Sequence, residues 1–198
     1  ELRVARQGER RGRVDAHVRA QRRVERIGER DRGEPGFLGS EGAKAFVLEE
    51  IGREALETTP GAKSVYSDLG FILLGLTVER VTGGPAAAHC RARIYQKISA
   101  EPLFYFQKDG RPSWGDIEKT RVAPTEQDFW RGRMLRGEVH DENAYALGGI
   151  AGHSGLFGTA RAVAAVSGAW LDAYHGRPSP LPAEWVRRFV QKQEQIPG

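Results

Sequence analysis

Cysteine is almost absent from this chain of 198 residues. Cys90 is the only one, which excludes a scaffold held together by disulfides. Long hydrophobic runs are missing as well: the longest, Leu69 to Val78, falls well short of the roughly 20 residues that a membrane span needs. No apolar core of a signal peptide occurs in residues 1–30, so none is predicted. The composition, 39 % hydrophobic and 28 % charged, is typical of a globular domain.

Lysine and aromatic residues are missing from residues 1–33, which hold eleven arginines and six acidic residues. The remaining residues hold 19 basic and 20 acidic side chains, so the net charge of +4 belongs to this Arg-rich segment. The segment buries too little apolar surface to offset its ordering entropy. It is predicted to be a disordered, partly helical arm, or a stretch not native to the rest, such as an out-of-frame translation. A nucleic-acid-binding arm is disfavoured, because aromatics and a recognisable fold are missing.

Residues 34–198 read as one mainly helical domain with little strand. The helix over 69–81 is apolar on nearly every side, which predicts a central, buried element. Other expected elements are a short strand at 64–66, ordered loop with a short hairpin within 99–135, and helices over 43–57, 85–98, 159–174 and 183–193.

Tyr66 is the first candidate for chemistry, since it lies just before the apolar helix. A helix N-terminus favours an anion, which suits a phenolate that acts as a general base. The alternative is a packed tyrosine beside an ordinary helix cap formed by Ser67 or Asp68.

A second candidate is the cluster of His140, Asp141 and Glu142, followed by His153. Neighbouring residues on a strand point to opposite faces, so the three adjacent side chains cannot share one ion unless the chain is irregular. A polar loop is therefore preferred to a metal site. The glycine-dense residues 147–158 form neither a P-loop nor a GxGxxG turn. Cys90 is predicted to be a small core residue.

Three segments then point to a family. They are residues 60–75 (PGAKSVYSDLGFILLG), residues 122–144, which contain VAPTE and GEVHDENA, and residues 148–160 (GGIAGHSGLFGTA). Together they resemble the serine β-lactamase-like family, which includes class C β-lactamases, low-molecular-mass penicillin-binding proteins and related esterases. The resemblance covers residues 43–190. It implies an α/β sandwich of the β-lactamase/transpeptidase type, of which this chain covers mainly the α-helical part.

The resemblance also implies a mechanism. A serine attacks a β-lactam, a D-alanyl peptide or an ester and forms an acyl-enzyme. A lysine one turn after that serine and a tyrosine of the second motif share the proton transfers. Tyr66 matches that tyrosine, and Asp68 stands where the family has asparagine. An ionised carboxylate only accepts hydrogen bonds, so substrate preference is expected to differ. His153 and Ser154 fall on a loop that borders the cleft in relatives, and with Asp68 they are candidate substrate-binding residues.

One motif of the family is missing. No serine is followed by lysine three residues later; Ser40 comes nearest, with Lys44 one place too far. The chain is therefore interpreted as an incomplete serine hydrolase, inactive alone, that acts on a small-molecule or peptidoglycan-like substrate without metal, cofactor or nucleic acid. The alternatives are a non-catalytic module that binds peptidoglycan-like ligands, a metal-dependent hydrolase using His140, Asp141 and His153, and a basic-arm nucleic-acid binder. Compartment and oligomeric state are not predicted.

Overall fold

The computed structural model describes residue 34 and residues 36–56, 58–99 and 101–192. The Arg-rich segment lies outside the described residues, so its predicted disorder or non-native origin stays a prediction. The described helices are α1 (Glu41–Gly52), α2 (Asp68–Thr82), α3 (Ala86–Cys90), α4 (Gln96–Ile98), α5 (Glu142–Ala146), α6 (Ala160–Tyr174) and α7 (Ala183–Val190); a π-helical turn (Arg91–Tyr95) joins α3 to α4, and Lys119–Arg121 is a 3-10 turn. No helix among the described residues is long and apolar enough to cross a membrane.

Local chemistry sets the ends of the long helices. The Ser40 hydroxyl accepts from the Ala43 amide at the start of α1, and the Thr159 hydroxyl accepts from the Ala162 amide at the start of α6. Gly83 ends α2 in the left-handed conformation, with φ of 70°. A residue without a Cβ carries no steric penalty there.

Two small antiparallel sheets accompany the helices. The strand β1 (Leu103–Tyr105) pairs with β4 (Leu156–Gly158), with Phe104 opposite Phe157. The strands β2 (Gln127–Asp128) and β3 (Arg133–Met134) form a short hairpin. The hairpin expected within 99–135 is therefore present.

The core lies where α1, α2 and α5 meet. Its buried side chains are Phe37, Leu38, Ala43, Val47, Ile72, Ala146 and Leu147. A separate aromatic cluster surrounds the first sheet, where the Phe106 ring meets the rings of Phe104 and Phe157 edge-on at 5.2 and 5.1 Å. Such edge-to-face contacts add to the free energy gained from burial.

Several predicted elements differ from the structure. Residues 64–66 are irregular chain, and none of the strands among the described residues pairs with them. The first helix ends at Gly52 instead of Glu57, and Arg53 forms its C-cap. The polar loop expected around residues 140–143 instead opens the short helix α5, since the Asp141 carboxylate caps it by accepting from the Ala144 amide at 2.7 Å.

The prediction that the helix over 69–81 is central and buried is wrong for the described part of the chain. Only Ile72 of α2 is buried, and the apolar side chains Phe71, Leu73, Leu74 and Val81 are exposed. The apolar sequence fits a helix that could be covered on two sides, but the described elements cover one side only.

The helix α6 buries small side chains and exposes large ones. Its packed face carries Ala162, Ala169 and Ala173, each less than a tenth exposed, while Val163, Trp170, Leu171 and Tyr174 face outward. It contacts α4 and α7. Alanine on the packed face lets the neighbouring backbone come close.

The glycine-dense loop packs its backbone against α2. A Cβ added at Gly152 would lie 2.0 Å from the Phe71 carbonyl oxygen, and one added at Gly75 would lie 3.1 Å from the Gly152 nitrogen. On the other side of the loop, a Cβ at Gly149 would lie 2.2 Å from the Phe106 oxygen. These glycines are therefore required by close approach of one backbone to another.

We predict that Gly152→Ala lowers the free energy of unfolding by about 1–3 kcal/mol or more, because the new methyl group meets a main-chain oxygen that cannot move freely. The matched control is Gly70→Ala, where a Cβ meets nothing within 4 Å and a helical alanine stabilises by about 0.5–1 kcal/mol. Urea unfolding followed by circular dichroism measures both. Equal midpoints for the two variants would contradict the close contact.

Candidate functional site

Tyr66 stands at the surface, two residues before α2 begins. Its side chain is 75 % exposed, and its ring lies against Phe71 with 5.7 Å between the ring centroids. It lines a shallow groove of about 590 Å³ together with Ser64, Val65, Ser67, Gly70, Phe71 and Leu74. A solute in this groove can reach the tyrosine ring directly.

Hydrogen bonding with the carboxylate of Asp68, the first residue of α2, and the negative charges of Asp68 and Asp141 raise the pKa of Tyr66 above its usual value. The carboxylate charge at the helix start opposes the effect of the helix N-terminus and favours the protonated hydroxyl. The role of Tyr66 as a phenolate general base stays a prediction.

The buried imidazole of His153 is bound to Asp141. His153 Nε2 lies 2.8 Å from Asp141 Oδ1, and only 2 % of the His153 side chain is exposed. Burial alone would raise the pKa of Asp141, but the hydrogen bonds from His153 and the Ala144 amide hold it below its usual value. One polar atom each of Asp68, Asp141 and His153 lie within 4.8 Å of one another. The structure thus brings Tyr66, Asp68 and His153 into one neighbourhood.

His140 belongs to a different group from Asp141. Its Nε2 lies 2.7 Å from Glu126 Oε1, and it clusters with Glu126 and Asp128. Residues 140 and 141 point apart, as expected for neighbours in an extended chain. The described residues therefore do not gather His140, Asp141 and His153 around one point, as the metal-dependent alternative requires.

Arg131 determines the course of the chain before Asp141. Its guanidinium forms an ion pair with Asp128 at 2.7 Å, with both side chains at least nine-tenths buried. It also donates to the carbonyl of Val139 at 2.8 Å and to the carbonyl of His140 at 2.5 Å, and it lies 4.7 Å from the centre of the Tyr145 ring. One side chain thus holds the backbone on both sides of residue 140.

Ser154 lines a second cleft, of about 880 Å³, that does not include Tyr66. This cleft is bounded by β1, β4 and residues 121–125 and 138–140, and its polar lining includes Thr125, Glu138, His140 and Thr159. The adjacent residues His153 and Ser154 therefore face different surroundings. The structure does not bring Ser154 into the Tyr66 groove.

A third space, of about 260 Å³, lies between α2, α3 and the glycine-dense loop. Cys90 lines it, and burial raises the pKa of the Cys90 thiol. Tyr95 and Tyr105 also line it and are hydrogen-bonded to each other. Lys44 and Glu79 also line this space, where Lys44 Nζ lies 3.1 Å from Glu79 Oε2. The sequence predicted Cys90 to be a core residue. In the structure it is half-buried and forms part of the wall of this space.

With this geometry established, comparison with known proteins identifies the family. The sequence profile of the Beta-lactamase family matches residues 20–194. The chain belongs to the Beta-lactamase family. The predicted family is thereby confirmed, and so is its α/β fold class, since the described part is helix-dominated with small sheets. The match begins inside the Arg-rich segment.

Three relatives illustrate the likeness. A putative D-alanyl-D-alanine carboxypeptidase of Escherichia coli K12 is 31 % identical over 165 residues, which cover 77 % of this chain and 37 % of that protein. An N-acetylmuramyl-L-alanine amidase of Bacillus subtilis is 35 % identical over 121 residues, 58 % of this chain and 27 % of the relative. A putative D-alanyl-D-alanine carboxypeptidase of Salmonella schwarzengrund is 32 % identical over 127 residues, 58 % and 28 %.

The chain thus spans between about a quarter and two fifths of the length of these relatives. No solved structure matches it significantly.

Sequence reasoning missed Arg131 and the partnership of Asp141 with His153. Arg131 lies in a stretch without periodicity, and nothing in its neighbours distinguishes a buried arginine from an exposed one. For Asp141 a signal was present: an aspartate followed three residues later by a helical amide is a typical N-cap.

We predict that Arg131→Ala destabilises the chain by about 3–5 kcal/mol, because Asp128 would be left buried and unpaired. The control is Arg111→Ala, which removes an exposed pair with Asp109 and is expected to cost at most about 1 kcal/mol. Urea unfolding measures both. An Arg131→Ala variant as stable as the control would show that the buried pair does not hold this segment.

We predict that Asp68→Asn lowers the pKa of Tyr66 towards the usual tyrosine value, because the amide removes the negative charge beside the hydroxyl. Carbon-13 NMR of the labelled tyrosines measures this, with Tyr66→Phe to assign the resonance. The control is Asp116→Asn, since Asp116 is not among the groups that act on Tyr66. An unchanged titration of Tyr66 in Asp68→Asn would rule out the hydrogen bond.

Proposed function

We propose that the protein to which this chain belongs is a serine hydrolase of the β-lactamase type, which transfers the acyl group of a D-alanyl peptide, a β-lactam or an ester. In this proposal the chain supplies the tyrosine part of the site. The serine nucleophile and its lysine lie in the part of the family domain that this chain does not include. The chain alone is therefore inactive in acyl transfer.

The observation that carries the proposal is the presentation of Tyr66. A tyrosine with three-quarters of its surface exposed, tilted against Phe71 and under the influence of the Asp68 carboxylate, lies in an open groove at the start of an apolar helix. Its protonated hydroxyl is suited to give a proton to a leaving group. The resemblance of residues 60–75 to the family's tyrosine-containing second motif supports this proton-transferring role.

Asp68 has a double role in the proposal. It accepts from Tyr66, and it offers an ionised oxygen to a hydrogen-bond donor of the substrate or to the lysine expected beside the nucleophile. Of the two other candidate substrate-binding residues, His153 has a side chain only 2 % exposed and supports the site from behind, and Ser154 remains available for direct contact. Ser154 acts from the neighbouring cleft of about 880 Å³, which is large enough for a peptide or glycan extension of the substrate.

The substrate class draws support from the relatives. Those named above are described as D-alanyl-D-alanine carboxypeptidases and an N-acetylmuramyl-L-alanine amidase. Both names refer to amide bonds of bacterial cell-wall peptides. A peptidoglycan-like peptide is therefore the first substrate to test.

The second candidate function is a non-catalytic module that binds peptidoglycan-like ligands. The absence of Ser-x-x-Lys from the sequence favours it, and the Tyr66 groove would then serve recognition only.

We predict that the chain incubated with a labelled penicillin gains no covalent adduct, because its sequence holds no Ser-x-x-Lys nucleophile. Intact mass spectrometry provides the measurement. A single adduct of penicillin mass would overturn the placement of the nucleophile outside the chain.

The positive test uses the protein translated from the complete gene. That protein is expected to form the adduct, and Tyr66→Phe is expected to slow acylation by about 10²–10⁴-fold, as loss of a general acid–base group does. The matched control is Tyr174→Phe, at the exposed end of α6. No adduct with the complete protein, together with measurable D-alanyl-D-alanine binding by calorimetry, would favour the binding module.

A further inference from the structure

We propose that His153 is a positioning residue of the Tyr66 site, which acts through Asp141 to hold the carboxylate of Asp68 against the Tyr66 hydroxyl. This goes beyond a substrate contact, and it rests on the proposed function only in naming the tyrosine as the group that is served. Asp141, the N-cap of α5, is the intermediate partner.

The first support is the burial of His153. With 2 % of its side chain exposed, the imidazole presents almost no surface to a ligand in the groove. Its Nε2 is bonded to Asp141 at 2.8 Å, and that carboxylate is itself anchored by the Ala144 amide at 2.7 Å. The ring is therefore a fixed element of the wall behind the groove.

The second support is the proximity of Asp68 to this pair. Polar atoms of Asp68, Asp141 and His153 all lie within 4.8 Å of one another. Two carboxylates at such a distance repel each other in a partly buried setting. A donor bound to Asp141 reduces the repulsion and leaves Asp68 directed towards the Tyr66 hydroxyl.

The third support is the environment of the other ring nitrogen. His153 Nδ1 is buried and has no hydrogen-bond partner among the described residues. A ring that carries its proton on Nε2 donates to Asp141 and keeps only an acceptor lone pair at Nδ1. A buried N–H without an acceptor at Nδ1 would be costly. The surroundings thus favour Nε2 as the donor.

The backbone keeps the imidazole in place. Gly152, the residue before His153, is packed so closely on α2 that an added Cβ would lie 2.0 Å from the Phe71 oxygen. The same helix begins at Asp68. The contact between the loop and the helix therefore fixes the position of the His153 imidazole relative to Asp68.

The test compares His153→Gln with His153→Asn in the full chain. The glutamine amide nitrogen reaches about as far as Nε2 and can donate to Asp141, whereas the shorter asparagine cannot reach it. The readout is the pKa of Tyr66, measured by carbon-13 NMR of labelled tyrosines. Tyr66 is acted on by Asp68 and Asp141, and both remain present in the two variants.

We expect His153→Gln to keep the raised pKa of Tyr66, and His153→Asn to lower it by most of the decrease seen in Asp68→Asn. In the double variant Asp68→Asn/His153→Asn we expect no further decrease, because the effect of His153 passes through Asp68. A Tyr66 pKa that stays as high in His153→Asn as in the wild-type chain would overturn the proposal. So would an equally large effect of His153→Asn with and without Asp68.

Two features keep the outcome interpretable. Tyr95 and Tyr105 line the space between α2, α3 and the glycine-dense loop. Their resonances report whether each variant has kept its fold. If His153→Asn unfolds, Asp141→Asn removes the same link from the other side. Because the Asp141 charge also acts on Tyr66 directly, a fall in the Tyr66 pKa that is equally large with and without Asp68 would overturn the proposal. The readout needs no turnover, so failure of the serine-hydrolase proposal appears separately, as a complete protein that forms no penicillin adduct.

Discussion

The contact between the Gly152 backbone and the first two turns of α2 is the constraint on which the site depends. The glycine-dense loop can lie against the helix only because positions 75 and 152 have no side chain at the point of contact. This contact places His153 beside Asp68, although 84 residues separate them in sequence. A helix start, a loop and the cap of a second helix thereby form one polar neighbourhood beside Tyr66.

Arg131 complements this contact from the other side. Its bonds to the carbonyls of residues 139 and 140 fix the backbone before Asp141. His140 is then turned towards Glu126, and Asp141 towards His153. The negative charge of Asp128 compensates the positive charge of the buried guanidinium. Arg131 thus holds the extended backbone in which His140 and Asp141 point to different clusters.

The sequence allowed the family, the long helices and the pairing of Tyr66 with a polar helix start to be predicted, because these depend on residues close together in the chain. Because Asp68 follows Tyr66 by two residues, the sequence already indicated that the two side chains lie near each other. The sequence could not show the direction of the Tyr66 pKa, since that depends on charges from Asp68 and Asp141 acting together. The strand at 156–158 was missed because its partner lies more than fifty residues earlier, and the exposure of α2 was missed because apolar sequence does not tell which neighbour covers it.

The two faces of α6 differ in how well they tolerate substitution. Its inward alanines are each less than a tenth exposed, so enlargement by even one methylene would press on neighbouring groups. Its outward tryptophan, leucine and tyrosine have room for exchange with other large residues. Among natural variants of this chain, substitutions in α6 should therefore accumulate at positions 163, 170, 171 and 174, while positions 162, 169 and 173 stay confined to the smallest side chains.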